Sequence, residues 1–117
     1  MKPITFLADS LKAVRAFPDA ARQDAGFQLD RVQRGLQPDD FKPMPSVGAG
    51  VEELRVWCEQ GTFRVVYLAR LADAVFVLHA FQKKTPTTSK ADIDLAARRF
   101  RDLMRPAHDP RDFCQCF

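Results

Sequence analysis

The sequence predicts an α+β domain, with an N-terminal helical hairpin and a C-terminal helix packed on a small antiparallel β-sheet. Three observations predict it. Residues 51–82 hold three consecutive runs of β-branched and aromatic residues separated by short polar turns. The segments on either side, 9–35 and 89–105, carry apolar residues at helical spacing. The chain has 117 residues, 46% hydrophobic and 28% charged, which suits a single core and leaves no room for a second.

Each element follows from local chemistry. Pro3-Ile-Thr-Phe-Leu7 reads as a short first strand, and Asp9-Ser10 offers an N-cap for a helix through Phe17. Pro18 breaks that helix and suits the first turn of the next. The second helix is expected from Asp19 to Gly35, with Ala21, Ala25, Leu29, Val32 and Leu36 on one face and Gly35 as its terminator. Residues 37–50 contain Pro38, Pro43, Pro45, Gly48 and Gly50, so they are expected to form a loop over the body. Val51–Cys58, Thr62–Arg70 and Val75–Gln82 are the three strands, joined by turns at Gln60-Gly61 and Ala72-Asp73 into a meander. Lys83–Lys90 is a polar loop, and Ser89 with Asp92 resembles a capping box for the last helix. That helix presents Ile93, Ala96, Ala97, Phe100, Leu103 and Met104 and ends near Arg105, before Pro106. Residues 1–105 thus form one domain, and 106–117 are read as a flexible tail.

Charge is unevenly distributed. The formal charge is +3, yet residues 83–105 hold 7 basic and 3 acidic groups, more positive charge than the whole chain. Such a patch suits a polyanion, and a solvated helix face carries the same signature. No apolar run approaches the ~20 residues of a membrane span, and the first residues lack the apolar core of a signal peptide. Three cysteines cannot all pair within one chain, which points to a reduced, cytoplasmic protein.

Hairpin register decides which strand residues share a face. With two-residue turns, Trp57 faces Arg64, Arg55 faces Val66, Arg64 faces Phe81, Val66 faces His79 and Leu68 faces Val77. One face then collects Leu54, Val56, Cys58, Phe63, Val65, Tyr67, Phe76, Leu78 and Ala80, and must be covered by helices. The other collects Glu53, Arg55, Trp57, Arg64, His79 and Phe81, with Lys83 and Lys84 just beyond. A two-layer domain leaves that second face open. It reads either as an anion site with aromatic surfaces for bases, or as ordinary strand charges in which Glu53 pairs with Arg55 or Arg64.

The runs Val51-Glu-Glu-Leu-Arg-Val, Phe63-Arg-Val-Val-Tyr-Leu, Val75-Phe-Val-Leu-His-Ala-Phe-Gln-Lys-Lys-Thr85 and Ile93-Asp-Leu-Ala-Ala-Arg occur in this order. Together they are similar to the RelE/ParE toxin superfamily, and most to its phage-derived HigB-like branch, over residues 2 to about 105. The resemblance implies a RelE-like fold and the toxin of a type II toxin–antitoxin module. RelE and HigB members cleave mRNA on the ribosome by 2′-hydroxyl attack, without a metal or other cofactor. The implied partner is a small antitoxin, often with a helix-turn-helix domain, whose complex with the toxin binds operator DNA. The ParE branch instead inhibits DNA gyrase, and a shared fold does not choose between them.

Cleavage through the 2′-oxygen needs a proton removed, the phosphorane charge neutralised and the 5′-oxygen protonated. Arg64 is the candidate for the scissile phosphate, because a guanidinium matches two phosphate oxygens. Lys83 and Lys84 are candidates for transition-state stabilisation, one of them for proton transfer if its pKa is lowered. His79 titrates near neutrality when unperturbed and is the candidate acid or base; the alternative is a strand histidine bonded within the sheet. Arg55, Trp57, Phe81 and Lys90 are the further RNA-binding candidates. Tyr67, the sole tyrosine, falls in the core, unlike RelE members with a tyrosine near the chain end; Phe113 and Phe117 stand there instead. Cys114-Gln-Cys116 with His108 lacks metal-ligand spacing and is read as oxidation-prone tail cysteines, so no metal site is expected.

Overall fold

Strands and helices follow in the order β1 (Ile4–Phe6), α1 (Ser10–Arg15), α2 (Asp19–Gln33), β2 (Phe41–Pro43), β3 (Val51–Cys58), β4 (Gly61–Leu68), β5 (Val75–Lys83) and α3 (Lys90–Met104). The structure is a computed structural model that describes residues 2–69, 74–83 and 88–105. The strands form one five-stranded sheet in the order β1-β5-β4-β3-β2. β1 runs parallel to β5, and the other neighbours are antiparallel. The sheet is therefore mixed, a correction to the antiparallel sheet expected. The parallel pairing places Thr5 opposite Phe76 and lets the chain return along β5 only after the whole meander is built.

Pro18 separates α1 from α2 as its chemistry requires, holding extended backbone at φ −54° and ψ 153°. Gly35 follows α2 in the left-handed region at φ 82°, a conformation that favours glycine. Asp9 occupies the N-cap position of α1 but makes no side-chain capping bond. Its carboxylate accepts instead from Arg99 Nη2 at 2.7 Å, joining the start of α1 to α3. Ser89 does cap α3, its Oγ accepting from the Asp92 amide at 3.2 Å. Phe41–Pro43, expected as loop because of its prolines, adds β2 at the sheet edge, where a missing N–H is tolerated.

Register differs from expectation in two places. The β3–β4 turn is Glu59-Gln60, with Gly61 already paired to Cys58 at φ 130°. Arg55 therefore lies opposite Arg64, and Trp57 opposite Thr62, not Arg64. This shift is of two residues, so every side chain keeps its face. Between β4 and β5, Arg64 pairs with Phe81 and Val66 with His79 as expected, but a bulge between Val66 and Tyr67 then pairs Tyr67 with Val77 and Leu68 with Phe76. The extra residue, Leu78, crosses to the second face. Its carbonyl accepts from Arg99 Nη1 at 2.8 Å, so the group is satisfied from α3.

Both faces are covered. Val14 of α1 and Ala21, Ala25, Leu29 and Val32 of α2 pack on Leu54, Val56, Phe63, Val65 and Tyr67. On the other side, Ala96, Ile93, Phe100 and Leu103 of α3 pack on Val51, Val66, Leu68 and Leu78, together with Met44 and Val47. The expectation of an open second face is thus corrected: Val66, Leu68 and Leu78 make an apolar strip there that α3 buries. The molecule has three layers. No helix among the described residues is long and apolar enough to cross a membrane.

Candidate functional site

α3 covers only part of the second face, and its N-terminal turn ends over a cluster of charge. Register places the cluster in rows. Lys42, Glu53, Val66 and His79 lie side by side across β2 to β5. Arg55, Arg64 and Phe81 form the next row, and Trp57, Thr62 and Lys83 the one beyond. Four cations from four strands (Lys42, Arg55, Arg64 and Lys83) thus gather around the carboxylate of Glu53, with Asp40 beside Arg55.

Burial divides these groups. The side chains of Arg64 and Glu53 are 4% and 0% exposed and form a direct ion pair, Arg64 Nη1 donating to Glu53 Oε1. The other Glu53 oxygen accepts from Thr88 Oγ1 at 2.9 Å, which ties the segment before α3 to the sheet. Removing either partner would leave an uncompensated buried charge. Of the two pairings open to Glu53 from the sequence, the one with Arg64 forms. Among the described residues Arg64 Nε is buried without a partner, and so is Arg55 Nε. Arg55 reaches Asp40 at 3.6 Å, and Trp57 Nε1 donates to the same carboxylate at 2.7 Å. The Trp57 ring remains 62% exposed.

His79 is held by two contacts. Nε2 lies 2.8 Å from Asp92 Oδ1, whose other oxygen accepts from Ser89 Oγ at 2.6 Å. Nδ1 is buried and has no partner among the described residues. The ring stacks on Phe81, with centroids 5.0 Å apart. In this arrangement neither ring nitrogen is open to a reacting group, and the imidazole joins β5 to the cap of α3. Asp92, which the sequence marked only as a capping residue, is thereby the partner of His79.

Lys83 is half-buried. Burial lowers its pKa, and Arg64 lowers it further; Glu53 pulls it back up, while Lys42 and Arg55 add to the lowering. A lysine in such surroundings releases a proton more readily than one in water. Lys90 begins α3 and is exposed. Lys84 lies outside the described residues, as do Cys114, Cys116, His108, Phe113 and Phe117. Tyr67 sits in the core as expected, its hydroxyl donating to Glu52 at 3.0 Å. Burial raises its pKa well beyond the ordinary range, and the Glu52 charge adds to the shift. Among the described residues no three His, Cys, Asp or Glu side chains group as a metal site would need.

The structure therefore brings together Arg55, Arg64, His79, Phe81 and Lys83, with Trp57 at the rim. Sequence reasoning missed Lys42, Asp40 and Thr88. Lys42 enters only through β2, whose prolines read as loop, and Thr88 through the docking of α3. Chemically, the cluster is a focus of positive potential at the mouth of a helix N-terminus, suited to an anion.

The family model described as "phage derived protein Gp49-like (DUF891)" matches residues 12–101. That range takes in most of α1 and α3, all of α2, the meander and every charged residue of the cluster. No curated protein matches the chain.

Proposed function

Since the chain belongs to the Gp49-like family of phage-derived proteins, we propose that it is the toxin of a type II toxin–antitoxin module, acting as a ribosome-dependent mRNA endoribonuclease. The observation that carries the reading is the convergence of Lys42, Arg55, Arg64 and Lys83 on one sheet face beside the N-terminus of α3. Together with the RelE-like order of motifs, this is the surface an RNA phosphate needs.

In the proposed mechanism the RNA supplies its own nucleophile, the 2′-hydroxyl. Lys83 and Lys84 neutralise the charge that develops on the phosphorane, and Arg55 holds a neighbouring phosphate. The 2′-oxygen attacks phosphorus as its proton passes to water, the P–O5′ bond breaks to leave a 2′,3′-cyclic phosphate, and Lys83, whose lowered pKa eases proton release, donates a proton to the departing 5′-oxygen. Arg64 acts from beneath, sustaining the positive potential while paired with Glu53, and His79 keeps α3 in place over the site. Trp57 and Phe81 offer aromatic faces to bases, and Lys90 adds a backbone contact. No metal or cofactor takes part in this scheme. The proposed partners are ribosome-bound mRNA in the cytoplasm and an antitoxin with a helix-turn-helix domain, through which alone the module meets operator DNA.

A second reading has its own support. Arg64 is buried and already paired, and both nitrogens of His79 are engaged or enclosed. That favours a protein that binds without cutting, such as a ParE-like gyrase inhibitor or a non-catalytic phage-derived binding protein. Pulse-labelling of protein and DNA synthesis after induced expression, followed by mapping of RNA ends, separates the two. Translation is expected to stop with new transcript ends, and Lys83→Ala is expected to abolish both while antitoxin binding persists. Loss of DNA synthesis with intact transcripts would establish the second reading instead.

A further inference from the structure

Beyond Lys90, the outward face of α3 carries charge that the site does not use. At 3.6 residues per turn, Lys90, Asp94, Arg98, Arg101 and Arg105 fall within one sector of about 80°. This sector lies opposite the apolar face formed by Ile93, Ala96, Phe100 and Leu103. All five are exposed and together carry a net charge of +3, and with Asp102, which flanks the sector and pairs with Arg105, that side of the helix still holds +2. Among the described residues Lys90, Arg98 and Arg101 make no ion pair, and Arg105 pairs only with Asp102 of its own last turn, at 3.0 Å. Helix stripes that are merely solvated commonly alternate in sign and pair at i,i+4. Here Asp94 stands four residues from both Lys90 and Arg98 and pairs with neither.

Position gives the stripe its direction. α3 begins at the candidate site, where Thr88 bonds Glu53 and Asp92 bonds His79, and runs away from it toward Arg105. Packing on Val66, Leu68 and Leu78 fixes the helix, so its cations are presented on a rigid rod. From Lys90 to Arg105 the rise is about 22 Å, over which a helical nucleic-acid strand presents about six phosphates. Three of the four cations are arginines, whose guanidinium forks match phosphate oxygens.

We propose that the outward stripe of α3, Lys90 with Arg98, Arg101 and Arg105, is a second nucleic-acid backbone-binding surface, which continues the candidate site along the helix and grips RNA without reading its sequence. This rests on the RNA reading of the site. The surface supplies affinity and orientation, since phosphate contacts position a strand and carry no base information.

The test is fluorescence anisotropy of the full chain with end-labelled oligouridylate across a potassium chloride series. Compared are wild type, an Arg98→Gln/Arg101→Gln/Arg105→Gln variant and a Lys42→Gln/Lys83→Gln variant, with circular dichroism to verify folding. Loss of three phosphate contacts is expected to make the plot of log affinity against log salt shallower by about 2 in the α3 variant. An unchanged slope there, with weakened binding in the Lys42/Lys83 variant, would overturn the α3 surface and leave the RNA reading standing. A wild-type chain that does not bind the RNA would overturn both. Binding of a polyglutamate peptide through the three arginines, with the RNA ignored, would assign the stripe to an acidic protein partner and overturn the proposal.

Discussion

Arg64 on β4 and Glu53 on β3 form an ion pair sealed from solvent at the centre of a cationic sheet face, and Thr88 closes the second carboxylate oxygen. The pair sits diagonally between rows, since Arg64 is registered with Arg55 and Glu53 with Val66. Breaking it by removing one partner strands the other charge, at a cost of about 3–5 kcal/mol. Glu53→Ala is expected to lower stability by that amount in urea unfolding. An Arg64→Met/Glu53→Leu double variant, which replaces both charges with apolar groups, is expected to recover most of the loss. Equal destabilisation of the single and double variants would show that the pair does not act as a unit.

Gly48 lies against α3 so closely that a Cβ there would stand 2.5 Å from the Phe100 ring. Gly48→Ala must therefore displace either the 44–50 turn or the ring, at a cost of about 1–3 kcal/mol. Phe100→Leu in the same chain is expected to relieve part of that cost. A double-mutant cycle of thermal unfolding checks it, and strict additivity would contradict the contact.

Asp9 is held below its ordinary pKa of 3.8, chiefly by the hydrogen bond from Arg99 and then by the charge of that guanidinium. A carboxyl depressed in the folded state contributes stability above its unfolded pKa, and loses that contribution as pH falls through the folded value. Wild type is thus expected to be more stable than Asp9→Asn at neutral pH, with the two converging below about pH 4. The gap is small because the carboxylate is 69% exposed. Unfolding midpoints measured from pH 2 to 7 test the sign; a gap that widens toward acid would refute it.

Ser89 both caps α3 and donates to Asp92, the partner of His79. Ser89→Ala is expected to cost about 1 kcal/mol through the lost cap. It is also expected to loosen Asp92, so that the His79 ring proton signals in NMR shift in a chain that remains folded. An unmoved His79 spectrum would separate the cap from the histidine.

How far these sites were legible in the sequence differs between elements. The helices and the meander were readable because their signals are local: apolar spacing in α2 and α3, the break at Pro18, the Ser89 cap and the β-branched runs. Phe41–Pro43 was not readable as a strand, since pairing of its three residues with β3 overrules the prolines in and around it. The faces of β3 and β4 survived a misplaced turn only because the error was of two residues. On β5 the bulge broke the alternation, and Leu78 went to the face opposite the one expected.

The sequence alone determined which residue types gather on the second sheet face: period-two alternation puts Glu53, Arg55, Arg64, His79 and Phe81 there whatever covers it. Only the tertiary structure decided that α3 lies across that face. Its docking buries Arg64 and Glu53 against each other, turns His79 toward Asp92, leaves Lys83 half-buried and leaves Arg98 and Arg101 to meet solvent. The physical reason is that alternation is set residue by residue along a strand. Burial and pairing depend on which distant helix settles on the apolar strip of Val66, Leu68 and Leu78, and no local pattern carries that choice.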